Sequence, residues 1–322
     1  MTWWQAYGRD KAINQVINQA AKQNAENPVN EETQVFTGNY TPGTKPLTVV
    51  LLPALFVGDW MWEGIYNRLN AEGWPVIQFT ESISLIDRQT ARSINRVAAR
   101  LLEATRQHTS QPLVVAGDSL GGLIAFEFAR SFPDETAGLV ASGAPGLNLK
   151  VQEFARNLAQ DVTSPTEFAD KFLGKLLYDP NAHDIDPERY EKVVEELAEP
   201  DNLTSMMSAV RAISRYNSRK IVMEIDTPKL FIWGKHDEIT PVEDWERALP
   251  RMKNARLVSF EECGHAPMFE KPDDFYRELV TFLNELVANM TPEQLAQAEA
   301  QKQAIEQAAA EVNAIEQGST GQ

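Results

Sequence analysis

The most constraining feature of the sequence is a short apolar run that ends in a glycine-flanked serine and continues directly into a helical pattern. The run Pro112–Ala116 is followed by Gly117-Asp118-Ser119-Leu120-Gly121-Gly122, which is a G-x-S-x-G arrangement between a strand and a helix. Small residues beside Ser119 let neighbouring backbone segments pass close to a tight turn. The start of the following helix directs free N–H groups at developing negative charge. The sequence therefore predicts a nucleophilic serine at position 119.

An acid and a histidine follow at the ends of two later apolar runs. Asp237 comes shortly after the run Lys229–Trp233, and His265 comes shortly after the run Arg256–Glu261. A serine hydroxyl is a poor nucleophile until a base removes its proton, so a nucleophilic Ser119 requires such partners. Parallel sheets place their sites at the carboxyl ends of strands, where both residues are expected. The sequence predicts a Ser-His-Asp triad in the chain order Ser, Asp, His.

Short β-rich runs alternate with amphipathic helices from residue 33 onward, which is typical of a parallel sheet covered by helices. We therefore predict an α/β fold with a mostly parallel central sheet and helices on both faces. Helices are predicted between the strands, one of them over Asp87–His108. Between Pro145 and Thr227 the alternation stops and only helical patterns occur, the first of them near Val151–Leu158. The predicted strands are Thr33–Tyr40, Pro46–Pro53, Pro75–Thr80, Pro112–Gly117, Ala137–Ser142, Lys229–Trp233 and Arg256–Glu261.

With these motifs in order, residues 33 to 289 resemble the lidded branch of the α/β-hydrolase superfamily. That branch contains esterases, C–C bond hydrolases, cofactor-free haloperoxidases, and epoxide and haloalkane enzymes. The resemblance implies the α/β-hydrolase fold with an inserted all-helical lid. The matching motifs are Gly117–Gly122, the Trp-Gly-x-x-Asp-x-x-x-Pro run from Trp233 to Pro241, and Gly264-His265 with Glu270-x-Pro272.

The resemblance implies a role for each member of the triad. Ser119 would be the nucleophile, His265 the general base and then acid, and Asp237 the group that orients and stabilises the imidazolium. Asp118 and Glu238 are competing carboxylates. Asp118 occupies the variable position of the motif, where we expect it to serve local hydrogen bonding, and Glu238 lies one residue past the acid position. Haloalkane and epoxide chemistry needs a carboxylate in place of Ser119, so those activities are disfavoured.

The expected oxyanion hole departs from the family pattern. The family has His-Gly after its third strand, whereas Pro53-Ala54 stands here. We expect the N–H groups of Leu120 and Leu55 to be the two donors, with Phe56 as an alternative if the turn is shifted by one residue. Loss of one donor costs roughly 10²–10³ in rate.

The expected substrate is small to medium in size and largely apolar. Phe56, Trp60 and Met268 are expected to line its pocket, and the chemistry is expected to be cleavage of a carboxylic ester, thioester or lactone through an acyl-enzyme on Ser119. A C–C bond hydrolase is the near alternative and would need a cationic anchor, for which Arg189 or Arg211 would serve. A cofactor-free perhydrolase on the same triad and a non-catalytic ligand-binding protein with a hydrolase fold remain further alternatives.

The domain organisation follows from where these patterns begin and end. A capping box at Thr291–Gln294 predicts the start of an appended helix. The expected segments are a polar, amphipathic leader at 1–30, the first part of the hydrolase core at 31–145, a helical lid at 146–226, the second part of the core at 227–289, and a C-terminal helix and tail at 290–322.

Charge and cysteine content bear on partners. The net charge of -16 disfavours nucleic acid, because that binding depends on neutralising phosphates with Lys and Arg. No apolar run is long enough for a transmembrane helix, and no secretory signal is apparent. The single cysteine, Cys263, excludes an internal disulfide and favours a cytoplasmic location. We expect a small-molecule substrate, no cofactor, and no metal at His183. Oligomerisation through the terminal helices stays open against solvated helices.

Overall fold

The computed structural model describes most of the central part of the chain. The predicted leader at 1–30, the predicted helix near Val151–Leu158, and His183 lie outside the described residues, as does the chain after residue 303. The described residues are 38–80, 88–145, 147, 164–179, 185–296, 298–300 and 303.

Seven strands form a single sheet, in the spatial order β1-β3-β2-β4-β5-β6-β7. The first strand pairs antiparallel with β3, and every other neighbouring pair is parallel. The predicted α/β class with a mostly parallel sheet is confirmed. The strands are β1 (Gly38–Thr41), β2 (Thr48–Leu52), β3 (Val76–Phe79), β4 (Leu113–Asp118), β5 (Thr136–Ser142), β6 (Lys229–Gly234) and β7 (Ala255–Phe260).

Helices cover both faces of this sheet. The bounds are α1 (Glu63–Ala71), α2 (Arg88–Ala91), α3 (Ile94–Arg106), α4 (Leu120–Ser131), α5 (Pro165–Leu176), α6 (Pro187–Ala198), α7 (Pro200–Arg215), α8 (Ser218–Glu224), α9 (Val242–Ala248), α10 (Pro267–Glu270) and α11 (Pro272–Ala288). Short 3₁₀ helices lie at Asp59–Trp62, Pro133–Glu135 and Leu249–Arg251.

Two glycines show how closely helices approach the sheet from its two sides. A Cβ added to Gly117 of β4 would lie 2.2 Å from the carbonyl carbon of Gly121 in α4. A Cβ added to Gly138 of β5 would lie 2.6 Å from Leu286 of α11. Gly117 lies in register with Ala141 of β5, so these two residues share a face of the sheet. Ala141 is three positions from Gly138, and side chains an odd number of positions apart on a strand point to opposite faces. The two contacts are therefore on opposite faces of the sheet. The central strands are fully buried between these layers, as expected for a parallel sheet.

The segment between β5 and β6 is helical wherever the structure describes it. Helices α5 to α8 occupy it, and α5 and α6 begin with side-chain caps from Ser164 and Asp186 followed by proline. The sequence predicted one helix over Asp87–His108, but the structure contains two, because the backbone at Ser93 is extended (φ −147°, ψ 118°).

The capping box predicted after α11 is confirmed. The backbone N–H of Gln294 donates to the Thr291 hydroxyl oxygen at 3.3 Å, and the Thr291 N–H donates to Gln294 Oε1 at 2.9 Å. These reciprocal bonds satisfy donors that a helix start otherwise leaves unpaired. A further helix therefore begins at this point of the chain.

Candidate active site

Ser119 occupies a strained turn between β4 and α4. Its backbone lies in the left-handed region (φ 51°, ψ −115°), where a non-glycine residue is held only when its surroundings require it. The Ser119 N–H donates to the Ser142 carbonyl oxygen at 2.8 Å, which holds the turn against the end of β5. Gly117 and Gly121 make the close approach possible. The strand–turn–helix context expected from the sequence is present.

Asp237 follows β6 in a tight loop that points its carboxylate inward. Its Oδ1 accepts hydrogen bonds from the N–H groups of Ile239 (2.9 Å) and Thr240 (2.8 Å). The Thr240 hydroxyl lies 2.7 Å from Asp237 Oδ2 and 3.0 Å from the Gly143 carbonyl oxygen. The side chain of Asp237 is fully buried. These donors fix the direction of the free lone pair on Oδ2.

The lone pair on Asp237 Oδ2 faces Nδ1 of the His265 imidazole. The distance from His265 Nδ1 to Asp237 Oδ2 is 2.8 Å, and the imidazole is only 2% exposed. Burial alone lowers the pKa of the imidazole, but the carboxylate of Asp237 and the negative charge of Asp118 outweigh it and raise the pKa to about 9. The ring therefore has Nδ1 committed to the acid and Nε2 left for another partner.

Gly143 lies between the serine turn and the histidine. A Cβ added there would lie 2.6–3.1 Å from three atoms of the His265 ring, and the residue has φ 54°. Its neighbour Ser142 accepts the hydrogen bond from the Ser119 N–H. The end of β5 thus touches both the serine turn and the imidazole, which brings the ends of β4, β6 and β7 around one point. The sequence reasoning missed Gly143, although a glycine directly after a predicted strand was the available signal.

The two competing carboxylates have different surroundings. Glu238 is exposed and pairs with Lys175 at 2.9 Å, so it points away from His265. Asp118 is completely buried, and neither of its carboxylate oxygens has a hydrogen-bond partner. Burial raises the pKa of Asp118 to about 7, opposed by the positive charge of His265. The backbone N–H of Ser119 lies near enough to favour the charged form of Asp118 as well, so the local role that the sequence predicts for this residue stays a prediction.

The loop after β2 lies beside the serine turn. A Cβ on Gly121 would lie 2.8 Å from the carbonyl oxygens of both Leu52 and Pro53. Leu120 is the first residue of α4, and the first N–H groups of a helix have no intrahelical partner. Leu55 is buried in the same loop, and the following Phe56 is held at φ 73°. Strain of this kind in a bulky residue is typical of functional loops.

A match to a known family covers residues 89–272, more than half of the chain, and this family is described as serine aminopeptidase, S33. The chain belongs to the serine aminopeptidase S33 family of α/β-hydrolases. Its predicted resemblance to the α/β-hydrolase superfamily is confirmed.

Two relatives of this S33-family hydrolase carry different activities in their names. A pimeloyl-[acyl-carrier protein] methyl ester esterase of Neisseria meningitidis is 27% identical over 197 residues, 55% of this chain. The match spans 60% of that relative's length, less than two thirds. A 2-hydroxy-6-oxononadienedioate/2-hydroxy-6-oxononatrienedioate hydrolase of Burkholderia vietnamiensis is 27% identical over 281 residues, covering 80% of this chain and 94% of that relative.

Solved structures support the fold. An esterase from Thermogutta terrifontis matches 77% of this S33-family chain and 93% of its own chain, with a TM-score of 0.61 at 22% identity. An esterase from Exiguobacterium antarcticum matches 77% and 94%, with a TM-score of 0.61 at 20% identity. At these identities the likeness concerns the architecture alone.

The three residues expected to line the pocket of the S33-family hydrolase lie in different environments. Phe56 is half-buried and contacts the rings of Phe168 and Phe172 of α5, with ring centroids 5.5 and 5.0 Å away. Trp60 is 9% exposed, and its ring meets Phe269 edge to face. Met268 of α10 is fully buried. Phe56 thus contacts α5 directly.

Glu270 is a structural feature of this S33-family chain whose role the sequence reasoning did not predict. Its Oε1 accepts hydrogen bonds from the backbone N–H groups of Gly264 (2.8 Å) and Ala266 (3.4 Å). Its Oε2 accepts one from Tyr178, directly after α5, at 2.7 Å. The His265 N–H also donates to the Leu176 carbonyl oxygen at 2.8 Å. The histidine loop is therefore fastened to the end of α5.

The remaining candidates lie apart from this chemistry. Cys263 is buried, and burial raises the pKa of its thiol well above the ordinary range, which fits packing rather than nucleophilic attack. His236 is exposed, and its ring is tilted by 42° against that of Tyr178 with ring centroids 4.6 Å apart. Among the described residues, no group of three His, Cys, Asp or Glu side chains is arranged to hold a metal ion. No helix in the described part of the chain is long and apolar enough to cross a membrane.

Proposed function

We propose that this chain is a serine hydrolase that cleaves a small to medium, largely apolar carboxylic ester, thioester or lactone through an acyl-enzyme on Ser119. The observation that carries the proposal is the buried 2.8 Å hydrogen bond between His265 Nδ1 and Asp237 Oδ2, beside a serine held in a strained strand-to-helix turn. A buried imidazole with one nitrogen bonded to a carboxylate has its other nitrogen oriented for proton transfer.

In the acylation step, His265 Nε2 removes the proton from Ser119 Oγ as Oγ attacks the substrate carbonyl carbon. Asp237 stabilises the imidazolium that forms, and it keeps its own negative charge. The tetrahedral oxyanion is stabilised by the N–H groups of Leu120 and Leu55. As the intermediate collapses, the bond to the leaving oxygen or sulfur breaks, and the imidazolium gives that atom its proton.

Water completes the cycle in the second half of the reaction. His265 takes a proton from a water molecule, whose oxygen attacks the acyl carbonyl carbon of the ester on Ser119. The bond between that carbon and Oγ then breaks, the acid is released, and the proton returns from His265 to Ser119. A lactone undergoes the same steps, with the leaving hydroxyl remaining attached to the acyl chain.

The apolar surroundings support an apolar acyl group. Phe56, Trp60 and Met268 are proposed to line the pocket, and the contact of Phe56 with Phe168 and Phe172 extends an aromatic surface from the oxyanion loop to α5. Aromatic side chains supply large apolar contact areas at few rotatable bonds. An acyl chain that reaches this cluster gains contacts that a very short acyl chain does not.

The domain boundaries remain those predicted from the sequence. Segments 31–145 and 227–289 form the hydrolase core, and 146–226 acts as a helical lid whose α5 end bonds to the histidine loop. Segments 1–30 and 290–322 are an N-terminal leader and an appended helix, with self-association through them as an alternative to solvation. A cytoplasmic location is proposed from the single buried cysteine.

Turnover of a series of p-nitrophenyl esters with two to twelve acyl carbons tests the proposal. Wild type is expected to hydrolyse the series with a chain-length optimum, while Ser119→Ala falls to background, about 10⁶ lower in kcat. Ser131→Ala, at the other end of α4, removes a hydroxyl away from the site and is the matched control. No turnover of any ester by folded wild type would overturn the proposal.

A C–C bond hydrolase is the second candidate, and the relative named for a 2-hydroxy-6-oxo-diacid favours it. Such an enzyme would need a cationic side chain to bind the carboxylate of its substrate. Arg189 is already paired with Glu63 at 2.5 Å and lies over the Trp60 ring, whereas Arg211 lies half-buried on α7. Arg211→Leu separates the two candidates. An ester-cleaving enzyme is expected to keep its KM for esters, whereas a diacid hydrolase is expected to show a higher KM for the diacid substrate. KM is therefore measured for both substrate classes.

A further inference from the structure

The most unusual polar group in the described structure is Asp118. It ends β4 immediately before Ser119, it is 0% exposed, and neither Oδ1 nor Oδ2 makes a hydrogen bond of good geometry, although the backbone N–H of Ser119 lies near enough to favour the carboxylate. A buried carboxylate without partners is costly, because nothing replaces the water that it has lost. A protein retains such a group where its charge or its proton has a use.

A second unpartnered group lies directly beside it. Ser142 of β5 is the Cα partner of Asp118 in the parallel pairing, so both side chains leave the sheet on the same face. The Ser142 hydroxyl is also completely buried without a hydrogen-bond partner. A carboxylic acid beside a hydroxyl is far cheaper to bury than a carboxylate, so the pair suits a group that binds and releases a proton.

The charged groups that act on Asp118 belong to the candidate site. They are His265, which favours the carboxylate, and Asp237 and Glu270, which disfavour it. Three carboxyl groups act on His265: Asp237 through its charge and a hydrogen bond, and Asp118 and Glu270 through charge alone. Asp118 is therefore coupled to the imidazole without touching it by a hydrogen bond.

We propose that Asp118 is a positioning residue that acts through His265. Its carboxyl group is the second one, after Asp237, that acts on the imidazole, and its ionisation controls how readily the imidazole holds a proton. This inference rests on the proposed function, because it assigns Asp118 to the same proton transfer. In the ionised form, Asp118 stabilises the imidazolium made during acylation and also holds His265 protonated to higher pH. In the protonated form it does neither.

Asp118→Asn tests this by removing the charge while keeping the shape. Loss of the negative charge lowers the pKa of His265, so the acid limb of the kcat/KM profile is expected to move down by about one pH unit. The weaker stabilisation of the imidazolium is expected to lower the maximum by about tenfold, since one pKa unit corresponds to a factor of ten. Ser131→Ala, which removes a hydroxyl at the far end of α4 without a change of charge, leaves the limb in place. A merely structural Asp118 would lower kcat/KM evenly at every pH.

A spectroscopic measurement makes the result independent of turnover. Infrared difference spectra of wild type between pH 5.5 and 8.5 are expected to show a carboxylic acid C=O band that titrates near pH 7 and is missing in Asp118→Asn. Asp118→Ser is a second uncharged variant that guards against poor folding of the first. Labelling of Ser119 by a fluorophosphonate with an unmoved pH profile in both variants would overturn this inference and leave the hydrolase proposal intact. Failure of labelling in wild type, with the band present, would overturn the hydrolase proposal instead.

Discussion

At the scale of single residues, the proton on His265 controls the proposed chemistry. The Asp237 carboxylate raises the pKa of the imidazole to about 9 against the opposing effect of burial. The proposed base must be neutral, so kcat/KM is expected to rise with pH and to reach half of its maximum near pH 9. A profile measured from pH 5 to 10.5 on a neutral ester checks this. A limb near pH 6.5, the ordinary value for histidine, would contradict the coupling.

The same pKa shift predicts a pH-dependent contribution to stability. The pKa of His265 is higher in the folded state than the unfolded value of 6.5, so the Asp237–His265 pair stabilises fully below pH 6.5 and its contribution is lost as pH rises through about 9. Asp237→Asn is therefore expected to cost about 2–3 kcal/mol more at pH 6 than at pH 10. Urea denaturation at the two pH values measures the difference. An equal loss at both would show that the pair does not titrate.

At the scale of structural elements, Glu270 joins α10, the histidine loop and the residue after α5. Glu270→Gln replaces one accepting oxygen by an NH₂ group that faces backbone N–H donors, so we expect the free energy of unfolding to fall by about 1–3 kcal/mol. Urea denaturation at pH 7 measures it. Glu191→Gln, an exposed change on α6, is the matched control. A loss no greater than that of the control would show that the three hydrogen bonds contribute little.

The aromatic contact between the β2 loop and α5 gives a second prediction for an element. Phe172→Leu keeps an apolar side chain but removes the ring that meets Phe56 edge to face at 5.0 Å. We expect KM for longer acyl esters to rise several-fold with little change in kcat, because the contact is made equally in ground and transition states. The ester series measures both parameters. An equal effect on acetate and decanoate esters would place the ring outside the acyl pocket.

The sequence predicted the elements better than their contacts. The glycine pattern around Ser119 and the apolar runs before Asp237 and His265 are local signals, so the strands and the serine turn were predictable. The same holds for the capping box at Thr291–Gln294. The hydrogen bonds of Glu270 to Tyr178 and the contact of Gly143 with the imidazole join segments distant in the chain, and no local pattern encodes them.

Asp118 shows a different limit of sequence reasoning. A carboxylate in the variable position of the G-x-S-x-G motif carries no sign of whether it faces solvent. Burial depends on the pairing of β4 with β5 and on which face of the sheet the residue occupies. Only the assembled sheet makes Asp118 a buried group with unpartnered oxygens. The sequence therefore named the residue but carried no information about its burial.

At the scale of the whole molecule, the proposed site exists only when the sheet is assembled. Ser119, Asp237 and His265 follow β4, β6 and β7, and the parallel order β4-β5-β6-β7 brings these carboxyl ends to one edge. The end of β5 contacts both the serine turn and the imidazole. Activation of Ser119 is consequently a property of the fold, and a chain unfolded in urea is expected to have an unreactive serine.

Reaction with a fluorophosphonate probe, followed by mapping of the adduct by peptide mass, tests this central claim most directly. We predict one adduct, on Ser119, in the folded protein, with no adduct in urea or in His265→Ala. His236→Ala is the control. His236 is exposed and directly precedes Asp237 in the chain, so this variant is expected to be labelled like wild type. An unlabelled Ser119 in folded wild type, or equal labelling in His265→Ala, would contradict the account.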